Sequence, residues 1–256
     1  MRARITLLLF AILYSFTCLA QTNFEKHFTK KSLRIDFALS GNWDFQAAAI
    51  QQLREEPVWA GPVKNLIDPF GYGGYYINVY DKAGKELIYS RGFNTLFEEW
   101  RSTEQAKTET QSWTNSISIP YPKAPVIIEI TARDKADMQF HPLLKQEIDP
   151  ASIFIDRGKL KENRITKSQY NGDSSGKVDL VFLAEGYTAD EQEKFVADAK
   201  RFTEALFKTP PYDTRREDFN VWAVDAVSEE SGTDVSGKGI FKNTALNSGY
   251  YTFGVD

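Results

Sequence analysis

The stretch Val178-Asp179-Leu180-Val181-Phe182-Leu183 marks the start of a part of the chain whose pattern differs from that of the residues before it. Every residue in this stretch except Asp179 is apolar. A short run without polar alternation is typical of a strand that is buried on both faces of a parallel sheet. A capping-box pair follows, with Thr188 and Glu191 three positions apart, and it predicts that a helix begins there.

The residues after the capping box predict a β-α-β unit. Phe195, Ala199, Phe202 and Leu206 form one apolar face of the expected helix. The helix should end before the proline pair 210–211, and residues 219–227 read as a second buried strand. This is the opening of an α/β domain within residues 177–256.

The α/β part is incomplete as a folding unit. Two strands and one helix cannot cover both faces of a sheet whose strands are apolar all round. We therefore expect four side chains to lack packing partners, namely Val181, Leu183, Val221 and Val224. We interpret the chain as the front part of a longer protein that breaks off inside its second domain.

Upstream of residue 160 the pattern is that of strands. Leu33, Ile35, Phe37 and Leu39 alternate with polar or small residues, which gives the period of two of a half-buried strand. Further strands are expected at 75–80, 86–90, 113–119 (ended by a proline), 126–131 and 152–156. A short helix is expected over 94–101, and residues 44–54 fit either a helix or a strand. Strands at this spacing favour a β-sandwich.

The predicted fold class is therefore α+β, an all-β sandwich followed by the start of an α/β domain. The predicted boundaries are a signal peptide at 1–20, the sandwich at 21–160, a polar linker at 161–176 and the partial α/β domain at 177–256.

The first twenty residues have the layout of a secretory signal peptide. Arg2 and Arg4 precede an apolar run, and small residues at 18 and 20 stand at the −3 and −1 positions of a cut before Gln21. A membrane anchor would need about 20 apolar residues, and polar residues interrupt this run. We expect an exported protein, periplasmic, cell-surface or extracellular, with no membrane span after the signal is removed.

Charge and cysteine content exclude several classes of function. The chain has 31 basic and 35 acidic residues, a net charge of −4, which disfavours a nucleic-acid-binding protein. Cys18 is the single cysteine, and it lies in the segment that would be removed. The exported protein would then have no disulfide, no cysteine nucleophile and no thiolate zinc site.

No motif for catalysis stands in the chain. The two histidines, His27 and His141, are far apart in sequence, and there is no H-E-x-x-H helix to place two imidazoles on one zinc ion. A G-x-S-x-G elbow and a glycine-rich phosphate loop are also absent from the sequence. We therefore predict no catalytic residue and no metal ligand within these 256 residues.

One residue is a candidate for substrate binding. Glu185 follows the first buried strand, and open α/β sheets bind ligands at the carboxyl ends of their strands. The alternative, which we favour, is a loop carboxylate stabilised near a helix N-terminus.

Two other groups of residues can be interpreted either as a binding site or as ordinary structural residues. Oxygen ligands for calcium could come from Asp225, Glu229, Glu230 and Asp234, but their spacing fits no EF-hand, so a solvated acidic loop is favoured. A sugar-stacking platform could come from Trp43, Trp59, Tyr72, Tyr75 and Tyr76, but packing in a sandwich core is favoured.

An ordered set of motifs resembles the M64 family of metallopeptidases, which is named for an immunoglobulin A peptidase. The motifs are Arg91-Gly92-Phe93-Asn94-Thr95-Leu96-Phe97-Glu98-Glu99-Trp100, Ile119-Pro120-Tyr121-Pro122-Lys123, Lys177-Val178-Asp179-Leu180-Val181-Phe182-Leu183-Ala184-Glu185-Gly186-Tyr187-Thr188, Asp218-Phe219-Asn220-Val221-Trp222, Glu230-Ser231-Gly232-Thr233-Asp234 and Tyr251-Thr252-Phe253-Gly254-Val255-Asp256. The first two resemble the family's N-terminal domain, and the others resemble its catalytic domain.

The resemblance implies a secreted zinc endopeptidase that acts on protein or peptide substrates, with a β-sandwich ahead of a zincin-like catalytic domain. The family's zinc ligands and catalytic glutamate belong to an H-E-x-x-H helix downstream of Asp256, so no ligand is assigned here and no zinc is expected to bind this chain. Family members often have Asp where this chain has Glu185. A secreted binding or adhesion module without catalysis stays open as the alternative.

Overall fold

The computed structural model describes residues 22–159 and 162–250, and the chain divides into two compact units, one ending at Arg157 and one starting at Gly158. The predicted signal peptide and the motif at 251–256 lie outside the described residues. No helix within the described ranges is long and apolar enough to cross a membrane.

The first unit consists of two four-stranded sheets. Its elements are α1 (Phe24–His27), β1 (Phe28–Gly41), β2 (Gln46–Glu56), β3 (Tyr75–Asp81), β4 (Leu87–Phe93), α2 (Leu96–Trp100), β5 (Gln111–Pro122), β6 (Val126–Arg133), β7 (Phe140–Ile148) and β8 (Ile155–Asp156). The strand orders are β5-β1-β2-β8 and β4-β3-β6-β7. Neighbours are antiparallel except β2 and β8.

Both sheets bury their apolar faces in one shared core. Its fully buried members include Leu33, Ile35 and Leu39 of β1, Ile77 and Val79 of β3, and Ile128 and Ile130 of β6. The alternation that predicted β1 therefore points its apolar residues inward, and the unit has the two-sheet arrangement of a β-sandwich, as predicted.

The ambiguous stretch 44–54 is a strand from Gln46 onward, because β2 pairs antiparallel with β1. The connecting turn is fixed by the side chain of Asn42, whose Oδ1 accepts the N–H groups of Asp44 and Phe45 at 2.9 and 3.1 Å. Gly41 has a φ of +150°, and a Cβ there would lie 2.1 Å from the carbonyl oxygen of Phe45. Pairing with β1 thus overrides the helix propensity of the alanines.

Two edge strands differ from the prediction. β5 continues through Pro120 to Pro122, so the expected end at Pro120 is wrong, and β7, which contains Pro142, was not predicted. Both strands lie at the edge of their sheets, where a residue without an N–H removes no ladder hydrogen bond. The short helix predicted over 94–101 is confirmed as α2, capped by Thr95 Oγ1, which accepts from the N–H of Glu98 at 3.2 Å.

The second unit contains the predicted β-α-β unit. Its elements are β9 (Ile165–Gln169), β10 (Val178–Leu183), α3 (Gln192–Leu206), β11 (Phe219–Val224), β12 (Asp234–Val235) and β13 (Gly249–Tyr250). β10 and β11 are parallel and separated by α3, which follows the predicted capping box at Thr188 and Glu191. The order in the main sheet is β10-β11-β9.

Strand β9 corrects the expectation of a linker over 161–176. It pairs antiparallel with β11, from Ile165 opposite Val224 to Gln169 opposite Val221. Its sequence between these ends, Thr166-Lys167-Ser168, is polar. The strand is defined by its pairing with the edge of β11. Its own residues show no apolar pattern from which a strand could be predicted.

Helix α3 covers one face of this sheet. Phe195 and Ala199 of the helix pack with Ala184 and Ala223, all at most 3% exposed. Phe202 was predicted on the same helix face but is 51% exposed, because the buried positions continue at Thr203, four residues after Ala199.

Around Val181 and Leu183 the opposite face of the sheet is uncovered by the described residues. The register puts Val181 opposite Trp222 and Leu183 opposite Val224, on the side away from Ala223. Val181 and Leu183 are each 49% exposed, so the expectation that they lack packing partners is confirmed. Val224 on the same face is partly buried, and the expectation is wrong for Val221, which lies on the helix side and is fully buried. The prediction that β10 is buried on both faces is wrong here, because it is an edge strand with one face covered.

Candidate functional site at the carboxyl ends of the parallel strands

Glu185, the residue two positions after β10, fastens a distant loop to the end of the sheet. Its carboxylate accepts hydrogen bonds from the hydroxyl of Thr244 at 2.5 Å and from the backbone N–H of Leu246 at 2.7 Å. Ser248 donates twice, from its N–H and from its hydroxyl, both at 2.9 Å. Four donors on one carboxylate hold residues 244–248 against the carboxyl end of β10.

These hydrogen bonds determine the charge state of Glu185. Partial burial opposes ionisation, but the donors of Thr244, Ser248 and Leu246 outweigh it and hold the pKa of the Glu185 carboxyl below its ordinary value. The residue is therefore an anion at neutral pH whose acceptor sites are used by the chain itself. The donors come from a distant loop and not from a helix N-terminus, which was the interpretation favoured from the sequence.

Gly186 lets two further loops approach closely. Its φ is +73°, and a Cβ there would lie 2.1 Å from the carbonyl oxygen of Gly232, whose own N–H donates to the carbonyl of Gly186 at 2.9 Å. The buried hydroxyl of Ser228 accepts the N–H groups of Gly186 and Ala245, both at 3.0 Å. Three loops thus share one hydrogen-bonded junction.

The predicted acidic loop also turns its carboxylates toward the chain. Glu230 accepts the backbone N–H of Asn243 at 2.8 Å, and Glu229 accepts its side-chain amide at 2.6 Å. Asp234 accepts the N–H of Lys242 at 2.5 Å. Within residues 22–159 and 162–250, no three His, Cys, Asp or Glu side chains are grouped so that they could hold a metal ion.

Asp225 is set apart from the other acidic residues by its burial. It directly follows β11, and its Oδ2 accepts from Nε of Arg164 at 2.6 Å with only 7% of the side chain exposed. Arg164 also contacts Glu193 at 3.2 Å, and these two partners raise the pKa of its guanidinium. Asp225 was expected to belong to a solvated acidic loop. The strand ends at Val224 rather than at the expected residue 227, so Asp225 lies at the same end of the sheet as Glu185.

The two histidines lie near opposite ends of β6. The carbonyl of His27 accepts from the N–H of Lys123, which precedes the strand, while His141 pairs with Ala132 near its other end. Eight residues of strand span about 23 Å. A catalytic zinc site takes three protein ligands, so the donor set in the described part of the chain does not fit one.

The five aromatic residues divide between core and surface. Trp59 and Tyr75 belong to the core of the sandwich unit, as favoured, whereas Tyr76 is buried against Phe140 outside that core. Trp43 and Tyr72 are 53% and 75% exposed. The structure therefore does not assemble them into a single stacking platform.

Two family models match the chain. The model described as Peptidase M64 N-terminus matches residues 23–143, and the model described as IgA Peptidase M64 matches residues 166–256. The chain belongs to the M64 peptidase family. No curated protein matches it.

Every motif that suggested the M64 family lies inside one of the two matched ranges. The M64 catalytic-domain match begins within β9 and includes β10, α3 and β11, together with the junction around Glu185. Membership indicates a peptidase-related protein.

Proposed function

We propose that this chain forms the N-terminal sandwich domain and the first β-α-β unit of the zincin-like catalytic domain of an exported zinc-dependent endopeptidase. The observation that carries the proposal is the order of the two M64 matches, with the N-terminal model followed directly by the peptidase model. Protein or peptide substrates follow from the same family membership.

The uncovered sheet face supports a catalytic domain that continues beyond these strands. Val181 and Leu183 are half exposed on a strand whose sequence is typical of an interior position. Further strands and helices of the catalytic domain would bury this face. In the proposed enzyme the zinc ligands belong to that further segment, and zinc when bound activates the attacking water.

In this proposal Glu185 is a positioning residue. It holds the N–H groups of Leu246 and Ser248 in place, and through them residues 244–248, at the sheet edge where α/β proteins bind ligands. Its contribution to substrate binding is the fixed shape of this loop, because its own oxygens are already occupied by four donors.

The proposal that further strands and helices bury this sheet face can be tested with one substitution in two versions of the protein. Leu183→Lys in the 256-residue chain should change the free energy of unfolding by no more than about 0.5 kcal/mol, as is usual for exposed positions. In a version extended downstream in the same reading frame, the same substitution should destabilise by several times that amount, because an unpaired charge is then buried.

Val227→Lys, at a position that is also about half exposed but outside the sheet, is the matched control and should behave alike in both versions. Equal, small effects of Leu183→Lys in both versions would contradict the proposal. They would favour the alternative of a binding module without catalysis.

Export is the second part of the proposal, and it is supported by the basic, apolar and small-residue order of residues 1–20. Expression with the native N-terminus in a secreting host, followed by N-terminal sequencing, should give a mature protein that starts at Gln21. A mature chain that still starts at Met1, or one with a lipid on Cys18, would contradict it.

A further inference from the structure

A cavity of about 730 Å³ lies in the sandwich unit, next to the turn between β1 and β2. This volume is within the usual range of small-ligand sites, about 300–1,000 Å³. The lining includes two aromatic rings and several basic side chains, namely Trp43, Phe45, Arg101, Arg133, Lys135 and His141.

The cavity is positively charged although the chain as a whole is acidic. Its lining contains four Lys or Arg side chains and two carboxylates, those of Asp44 and Asp134, whereas the whole chain has a net charge of −4. Among the described residues, no carboxylate lies within ion-pair distance of Arg101, Arg133 or Lys135. The positive charge of Arg101 and Lys135 is therefore available to a ligand in the cavity.

The guanidinium of Arg101 is held rigidly by neutral oxygens. It donates to the carbonyls of Asn42 at 2.6 Å and Trp43 at 3.3 Å. A guanidinium has five N–H donors, so at least two stay free for an anion, and little side-chain entropy has to be lost to orient them. Arg133 also lines the cavity, but its guanidinium donates to the carbonyls of Gly73, Met138 and Gly71 and stacks on Phe140, none of which lines the cavity.

Two aromatic rings at the same cavity are exposed to solvent. Trp43 and Phe45 are 53% and 52% exposed, although most aromatic residues of this unit are in the core. The backbone that carries them is fixed by the Asn42 turn and by the contacts of Arg101. Such rings offer a flat apolar surface to the C–H face of a sugar ring.

We propose that this cavity binds an acidic sugar, a pyranose ring that bears a carboxylate. The carboxylate pairs with Arg101 and Lys135, and the ring packs on Trp43 and Phe45. The compact volume favours a ligand of one or two rings over an extended acidic peptide, which proteins typically bind along a sheet edge or a long groove. The proposal is independent of the peptidase function, since it concerns the sandwich unit alone.

The test is isothermal titration calorimetry on the full chain with two acidic probes, digalacturonic acid and 3′-sialyllactose, and with lactose as the neutral counterpart. At least one acidic probe should bind, lactose should bind about tenfold more weakly or not at all, and the affinity should fall with added salt. The acidic probe that binds more tightly identifies the source of the carboxylate.

Variants show whether the binding occurs at this cavity. Lys135→Ala and Trp43→Ala should each weaken binding of the acidic probe by about tenfold. Lys64→Ala, which removes an exposed lysine of the same unit outside the cavity, should have no effect. Unchanged urea unfolding curves establish that each variant is folded.

Three results would overturn the proposal. They are equal binding of lactose and the acidic probes, no binding of either acidic probe, and tighter binding of a hexaglutamate peptide that depends on Lys135 and Trp43. The last result would assign the cavity to an acidic peptide instead.

Discussion

Glu185 and Ser248 are joined by two hydrogen bonds to one carboxylate oxygen, from the N–H and from the hydroxyl of the serine, both at 2.9 Å. The first residue lies two positions after β10, and the second lies just before β13. A single ionised side chain therefore connects the end of the parallel sheet to the last loop of the described chain. The position of residues 244–248 depends on that charge.

Substituting Glu185→Gln should release this loop. Glutamine keeps one acceptor oxygen but places an NH₂ group against backbone donors, so part of the set is lost at a cost of about 1–3 kcal/mol. Hydrogen exchange at the amides of Leu246 and Ser248 should accelerate clearly. Glu217→Gln, at an exposed carboxylate of the same unit, is the control and should leave both amides unchanged.

The same loop should respond to pH. The pKa of Glu185 is lowered in the folded protein, so its contribution to stability is complete above the ordinary value of 4.5 and is lost as the pH falls through the lower folded value. Protection of the Leu246 amide should therefore decrease below about pH 4.5. In Glu185→Gln the protection should be low at every pH, and a steep pH dependence that persists in this variant would assign the effect to another group.

The Gly186 position should tolerate no side chain. Gly186→Ala combines a positive φ with a Cβ that would lie 2.1 Å from the carbonyl oxygen of Gly232, and strain of this kind costs at least about 1–3 kcal/mol. Gly176→Ala is the matched control, because a Cβ there has no atom within 4 Å. Urea denaturation should show a large loss for the first variant and almost none for the second, and similar losses for both would contradict this geometry.

Limited proteolysis should separate the two units within residues 157–164, and not throughout the polar segment 161–176. Residues 165–169 are paired with β11 and should resist cleavage, whereas Lys159 and Glu162 are exposed and lie outside the strands. Trypsin should cut first at 157–164, and the fragment that ends there should stay folded. Early cuts inside Val126–Arg133 would contradict this boundary between the two units.

The sequence was sufficient for elements whose side chains face a core. β1 was predicted from the alternation of its apolar residues, and β10 from an almost continuous apolar run. α3 was predicted from its capping box and from Phe195 and Ala199. Edge strands without an apolar pattern of their own could not be predicted in this way. β7 contains a proline and β9 is mostly polar, so their formation depends on partners distant in the sequence.

The candidate site was predictable in position but not in its contacts. The strand-end rule identified Glu185. The donors on its carboxylate come from Thr244, Leu246 and Ser248, about sixty residues downstream in a loop with no distinctive pattern. Asp225 was missed because its burial depends on Arg164, which lies in the segment predicted as a linker.

The measurement that tests the central claim most directly is zinc content together with chelator-sensitive proteolysis, made side by side on residues 21–256 and on a version extended downstream in the same reading frame. We predict one tightly bound zinc per extended chain and cleavage of a protein substrate that a chelator abolishes. The short version should show neither zinc at stoichiometric level nor cleavage. Stoichiometric zinc and proteolysis by residues 21–256 alone, or neither in the extended version, would contradict it.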